Sequence, residues 1–139
     1  MGKHRILVID DNEDVCEVLK TALSDKYEVI TAHDGYSGLQ KAQGCEPDLV
    51  MLDVQMPKLD GHQLCDAVKH SRKTKNTAVV FITGHGSDED EIAAFQQGAD
   101  LYFHKPFDLP FLVQEVDKIL SKITPCEKTL SYSDIMNME

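Results

Sequence analysis

The 139-residue chain is short of positive charge: 14 Lys and Arg stand against 24 Asp and Glu, a formal net charge of −10 and a pI near 4.9. Nucleic-acid phosphates are held by dense positive charge, so these residues alone make no nucleic-acid surface. A helix-turn-helix pattern and a basic patch are both missing. Long apolar runs are missing too, and nothing approaches the roughly 18 residues of a membrane span. The basic start Met1-Gly2-Lys3-His4-Arg5 is followed by too short an uncharged run for a signal-peptide core. No membrane contact and a cytoplasmic location are expected. The four cysteines, at 16, 45, 65 and 126, show neither Cys-x-x-Cys spacing nor a histidine at zinc-site spacing. Reduced thiols are expected, without a disulfide framework or zinc. There is no Gly-rich Walker loop, which disfavours ATP binding. At ~100–200 residues per domain, two full domains would not fit.

What is present alternates regularly. Arg5-Ile6-Leu7-Val8-Ile9 is a short β-branched run and reads as a buried strand. Val15, Val18, Leu19, Ala22 and Leu23 follow with helical spacing, behind Asp11 or Asn12 as a cap. Further strands are read at 27–32, 48–53, 78–82 and 101–103. Further helices are read at 35–43 (closed by Gly44), 61–71, 88–97 (ended by Gly98) and 109–122. Five strands alternating with five helices predict a parallel α/β sheet covered on both faces. Residues 124–139 break the pattern after Pro125 and are expected to be a tail or the start of a linker.

Ligands of open α/β sheets bind beyond the carboxyl ends of the strands. There the sequence puts Asp10 and Asp11, then Asp53, Thr83 and Lys105. Any one of these is explained by a turn or a cap; their joint occurrence at four of five strand ends favours a site. Three neighbouring carboxylates repel one another and call for a cation. Hard oxygen ligands suit Mg²⁺, or Mn²⁺. A carboxylate beside such an ion is a candidate nucleophile toward phosphorus, with a lysine and a hydroxyl to hold phosphoryl oxygens.

The runs Val8-Ile9-Asp10-Asp11-Asn12, Leu52-Asp53-Val54-Gln55-Met56-Pro57 through Asp60-Gly61, Ile82-Thr83-Gly84, Gly98-Ala99-Asp100 and Lys105-Pro106-Phe107 carry a family resemblance. Over residues 4 to about 123 the chain resembles the receiver (CheY-like) domain of two-component response regulators. The resemblance implies a flavodoxin-like (βα)5 three-layer sandwich with strand order 2-1-3-4-5, and a receiver domain at 1–123. It implies that Asp53 accepts a phosphoryl group from a sensor histidine kinase or a histidine phosphotransfer protein. Asp10, Asp11, Asp53 and the backbone carbonyl of Gln55 would hold Mg²⁺. Thr83 and Lys105 would contact the phosphoryl oxygens, and Tyr102 matches an aromatic switch position. In that switch, Thr83 is drawn in and Tyr102 turns inward. The face of helix 88–97, strand 101–103 and helix 109–122 changes with them, and it is a candidate surface for a homodimer or an output partner.

Other readings stay open at this point. The chain could be the regulatory part of a DNA-binding transcriptional regulator, since Leu130–Met136 weakly resembles the first strand of a winged-helix output domain. A Mg²⁺-dependent aspartyl-phosphate phosphatase is disfavoured, because Asp53-Val54-Gln55 lacks the second acid of Asp-x-Asp. Beyond self-catalysed phosphoryl transfer and autodephosphorylation, no enzyme activity is expected. Gly84 is either a turn glycine or room for a phosphoryl group, and Gln55 and His85 are expected at the rim. His33 and His62 are expected at the surface, and Met56, Leu59 and Phe107 in packing. Lys105-Pro106 is a candidate cis peptide.

Overall fold

A computed structural model describes residues 3–84 and 86–124. Apart from Thr124, the expected tail at 124–139 lies outside the described residues, as do His85 and Cys126. The strands are β1 (Arg5–Ile9), β2 (Glu28–Ala32), β3 (Leu49–Leu52), β4 (Ala78–Thr83) and β5 (Leu101–His104). The helices are α1 (Glu13–Leu23), α2 (Gly35–Cys45), α3 (Gly61–His70), α4 (Asp88–Gln96) and α5 (Leu109–Leu120). All strands pair in parallel, in the order β2-β1-β3-β4-β5. This is the flavodoxin-like topology that the family resemblance implies.

β1, β3 and β4 are buried along their whole length, as their unbroken apolar runs require of a sheet covered on both faces. Alternate side chains feed two cores. Leu7, Ile9, Val50, Leu52 and Phe81 pack with Leu64, Val68 and Ala94 of α3 and α4. Ile6, Val8, Met51, Val80 and Ile82 pack with Leu19 of α1 and with Leu112 and Val116 of α5. Each fully buried side chain of this size contributes roughly 1.5–3 kcal/mol. The parallel pairing places the carboxyl ends of β1, β3, β4 and β5 along one edge. Cys16 and Cys65 are free thiols, and burial pushes both up to about 11, so both stay protonated.

Two helices end two residues from expectation, α5 at Leu120 instead of 122 and α2 at Cys45 instead of 43. α2 does not close at Gly44; it runs to Cys45 and is capped by Glu46 at φ 47°. Pro47 disfavours the right-handed helical conformation at the residue before it, so the reversal falls on Glu46 rather than on the glycine. The Lys105-Pro106 bond is cis.

The start of β2 is tied to α5 by polar contacts. The Tyr27 hydroxyl donates to Asp117 Oδ1, and Lys26 Nζ lies 3.0 Å from Asp117 Oδ2. Burial acts to raise the Asp117 carboxyl, but the Tyr27 and Lys26 donors outweigh it and leave it below the ordinary value. A carboxyl lowered in the folded state adds stability above its unfolded value of about 3.9, and that stability is lost as pH falls through the folded value. Asp117→Asn is therefore expected to cost about 1 kcal/mol at pH 7, read from urea midpoints. The gap to wild type should close as the pH is taken below about 4.

Candidate functional site

The site is built on the carboxyl edge of the sheet. Asp10 follows β1, and Asn12 caps α1 by accepting from the N–H groups of Asp14 and Val15. Asp10 Oδ1 in turn accepts from Asn12 N–H at 2.9 Å, so the cap and the acid fix each other. Asp53 follows β3, and its Oδ1 accepts from the N–H of Gln55 at 3.1 Å. Gly61 opens α3 directly against this turn. A Cβ there would lie 2.1 Å from the carbonyl oxygen of Asp53, so only glycine lets the helix approach. Asp60 and Ser87 form capping boxes at the starts of α3 and α4 and hold both helix ends beside the cleft.

Asp10 is 2% exposed and Asp53 4%. Lys105 Nζ donates to both, at 2.8 Å to Asp10 Oδ2 and 3.0 Å to Asp53 Oδ2. Asp11 completes the cluster from the exposed side: one carboxylate oxygen from each of Asp10, Asp11 and Asp53 lies within 4.8 Å of the others. Burial raises the Asp10 carboxyl above its usual range; Lys105 and the Asn12 N–H offset this in part, and Asp53 adds to it. Lys105 is also raised: burial lowers it, but its bonds to Asp10 and Asp53 prevail. Three carboxylates against one ammonium leave two unbalanced negative charges. At this spacing a pair of unit charges repels by about 3–4 kcal/mol at an effective dielectric of ~20. The donor set, all oxygen with one face open to water, fits a hard divalent cation of the Mg²⁺ or Mn²⁺ kind.

The structure brings Asp10, Asp11, Asp53 and Lys105 together as the sequence predicts. Gln55 is exposed at the rim and lines the same cleft, which has a volume of about 720 Å³. Thr83 is fully buried at the end of β4. Gly84 also lines the cleft; a Cβ there would meet only the Lys105 side chain, at 3.6 Å, so space is left beside it. Met56, Leu59 and Phe107 pack against the two cores, and His33 is exposed, all as expected.

Two residues depart from expectation. Tyr102 already lies inward. Its ring stacks on Phe81 at 5.6 Å, and its hydroxyl is buried with no hydrogen-bond partner among the described residues. A Cβ on Gly86 would lie 1.8 Å from that oxygen, so the glycine makes the space it occupies. Burial pushes the Tyr102 hydroxyl up to about 12, with Asp90, Glu91 and Asp53 adding to the shift. The second is His62, which is not a plain surface residue. It lines the cleft and bridges α3 to α4, with Nδ1 2.9 Å from Gln97 Oε1 and Nε2 3.2 Å from Asp90 Oδ1. The sequence signal for it was slight: a histidine directly after the Asp-Gly start of α3, with acids and amides on a helix whose neighbour in space is known only from the fold.

Among the described residues no helix is long and apolar enough to cross a membrane. Residues 6–117 match the response regulator receiver domain family. The DNA-binding dual master transcriptional regulator RpaA of a Synechocystis species is 34% identical over 134 residues, covering 96% of this chain and 56% of that protein. A probable cyclic di-GMP phosphodiesterase of Vibrio cholerae is 31% identical over 134 residues, covering 96% of this chain and 30% of that protein. A crystal structure of a putative response regulator from Chloroflexus aurantiacus overlays with a TM-score of 0.80 at 36% identity, covering 86% of this chain and 99% of that one. The chain spans about half the length of the first curated relatives it matches. With the fold, the acid cluster and the bridging lysine in place, this agreement makes the chain a member of the response regulator receiver domain family, CheY-like in fold and belonging to two-component signalling.

Proposed function

We propose that the chain accepts a phosphoryl group on Asp53 from the phosphohistidine of a sensor histidine kinase or a histidine phosphotransfer protein. The observation that carries this is the Asp10–Asp11–Asp53 cluster with Lys105 bridging two of its members. One Asp53 carboxylate oxygen forms the bond to phosphorus while the donor's P–N bond breaks, and the electron pair leaves on the imidazole nitrogen. Lys105 moves from carboxylate to a phosphoryl oxygen, and the Thr83 hydroxyl donates to another. Asp10, Asp11, Asp53 and the carbonyl of Gln55 are the groups that would hold Mg²⁺, or Mn²⁺. When bound, the ion neutralises the excess carboxylate charge and the charge on the incoming oxygens. Phosphoryl uptake and loss on Asp53 are the only chemistry assigned to these residues.

The readout face is α4–β5–α5, with Thr83 and Tyr102 as the switch between it and the site. β5 is an edge strand, and Ile92, Phe95 and Phe111 are exposed on the flanking helices at 58%, 45% and 50%. Apolar exposure of this kind suits a protein partner or a second copy of the chain. Residues 1–123 form the receiver, and 124–139 a tail or linker. A second reading, the regulatory part of a transcriptional regulator, is favoured by the RpaA match and by the share of that protein the chain covers. DNA contact would then belong to other residues. A cytoplasmic location suits a partner that is a kinase of the two-component type.

Incubation with acetyl phosphate and Mg²⁺ should add one phosphoryl mass to the intact protein. Asp53→Asn should abolish the gain, and rapid turnover of free phosphomonoesters by the wild type would instead identify a phosphatase. Because burial raises Asp10, its charge weakens the fold as pH rises through the raised value, and Asp10→Asn should remove that penalty. The variant should melt at a higher temperature than wild type at pH 7 without metal, with the gap narrowing on acidification. It should also lose the rise in melting temperature that Mg²⁺ gives the wild type. Thr83→Ala should still be phosphorylated, but the phosphorylation-dependent change in partner affinity should be lost; an unchanged dependence would show a route that bypasses Thr83.

A further inference from the structure

His62 has acceptors at both ring nitrogens. Asp90 Oδ1 faces Nε2, and Gln97 Oε1 faces Nδ1. Turning the amide to offer a donor instead would give up the bond that Gln97 Nε2 donates to the His62 carbonyl oxygen at 3.4 Å. Turning it would set two oxygens against each other. A neutral imidazole has one N–H and would point a lone pair at one of these acceptors; only the doubly protonated ring satisfies both. The carboxylate is itself fixed, since its other oxygen accepts from the backbone N–H and hydroxyl of Ser87 at 3.0 and 3.1 Å.

We propose that His62 is held as an imidazolium that clasps α4 to α3, so that the placement of α4 and of Tyr102 follows its proton. The route is short. The His62 ring lies against Phe81 at 5.4 Å, and Phe81 stacks on Tyr102. On the far side of Tyr102, His104 lies at 5.2 Å and bonds Glu91 at 3.0 Å, so adjacent acids of α4 are gripped from two sides. α4 needs such grips, because Ala94 is its single buried residue among those described. Among the described residues, the charged groups facing His62 are Asp90 from α4 and, across the shared cleft, Asp11, Asp53, Asp60 and Lys105, while β4 sets the Phe81 ring against it. His62 is thus a positioning residue. Loss of its proton removes a donor from the α3–α4 bridge and a positive charge from the cleft, in the pH range where imidazole changes charge. This deepens the switch reading given above and can be tested apart from it.

The test is a titration of the full ¹⁵N-labelled chain between pH 5 and 8.5, with no phosphodonor present. Ring-nitrogen shifts report the protonation of His62, assigned by their loss in His62→Gln. At pH 6 both nitrogens should carry protons, and the Tyr102 ring and α4 amide signals should move with the same midpoint as the ring. That movement should be lost in His62→Gln, and Asp90→Asn should shift the His62 midpoint to lower pH. A single neutral tautomer at pH 6 would overturn the proposal. So would a His62 titration that leaves Tyr102 and α4 unmoved. The wild-type titration stands whether or not the variants fold, and phosphoryl capture by Asp53 can succeed or fail independently of it.

Discussion

Two carboxylates and one ammonium, taken out of water together, set the terms for the rest of this molecule. Asp10 and Asp53 are almost wholly buried, and Lys105 is their common donor. That arrangement requires the ends of β1 and β3 to be neighbours and the turn after β5 to reach back across β4, which is what the parallel order β2-β1-β3-β4-β5 provides. It also leaves charge uncompensated, because Asp11 adds a third acid on the open side. Burying ionised groups costs several kcal/mol each unless paired. The fold bears that cost in two deep apolar layers on either side of the sheet, and the residue of it is available to whatever cation or anion-bearing donor enters the cleft.

Much of this is legible in the sequence alone. The alternation of short apolar runs with helical spacing predicted the parallel sheet, and the acids, hydroxyl and lysine fell at strand ends because a parallel sheet collects those ends on one edge. Lys105 was marked by its position, but its two bonds were not, since they depend on which strands become neighbours. The end of α2 falls beyond Gly44 because the ring of Pro47 constrains Glu46, a constraint that the preference of glycine for helix ends does not contain. His62 reads as a surface residue in the sequence because its partners, Asp90 and Gln97, lie at a different helix and meet it only in the folded chain. Local pattern carries local structure; pairings across elements need the topology first.

Tyr102 shows how closely the inward state is balanced. Its ring gains stacking on Phe81, while its buried hydroxyl lacks a hydrogen-bond partner among the described residues. A stacked aromatic pair is worth about 0.5–1.5 kcal/mol and an unsatisfied buried hydroxyl costs about 1–3, so neither term alone decides the position. The small space beside Gly86 and the contacts of α4 then tip it. A side chain held by opposing terms of similar size moves in response to a modest input, and that is the physical requirement for a switch.

The same reasoning applies to α4 as a whole. A helix anchored by a broad apolar stripe resists displacement, because every exposed methylene costs about 0.8 kcal/mol. α5 is anchored in that way, through Leu112, Val116 and Leu120. α4 has only Ala94 buried and is kept in place by the Ser87 capping box and by the bonds from His62 and His104. Polar clasps exchange for water at a net cost of about 0.5–1.5 kcal/mol each, so they can be released singly where an apolar stripe cannot. The element beside the acid cleft that can move at least cost is therefore the one carrying exposed Ile92 and Phe95. In the switch proposed above, Thr83 and Tyr102 would carry a change at Asp53 to that surface, and release of the His62 and His104 contacts would let α4 follow with the hydrophobic layers intact.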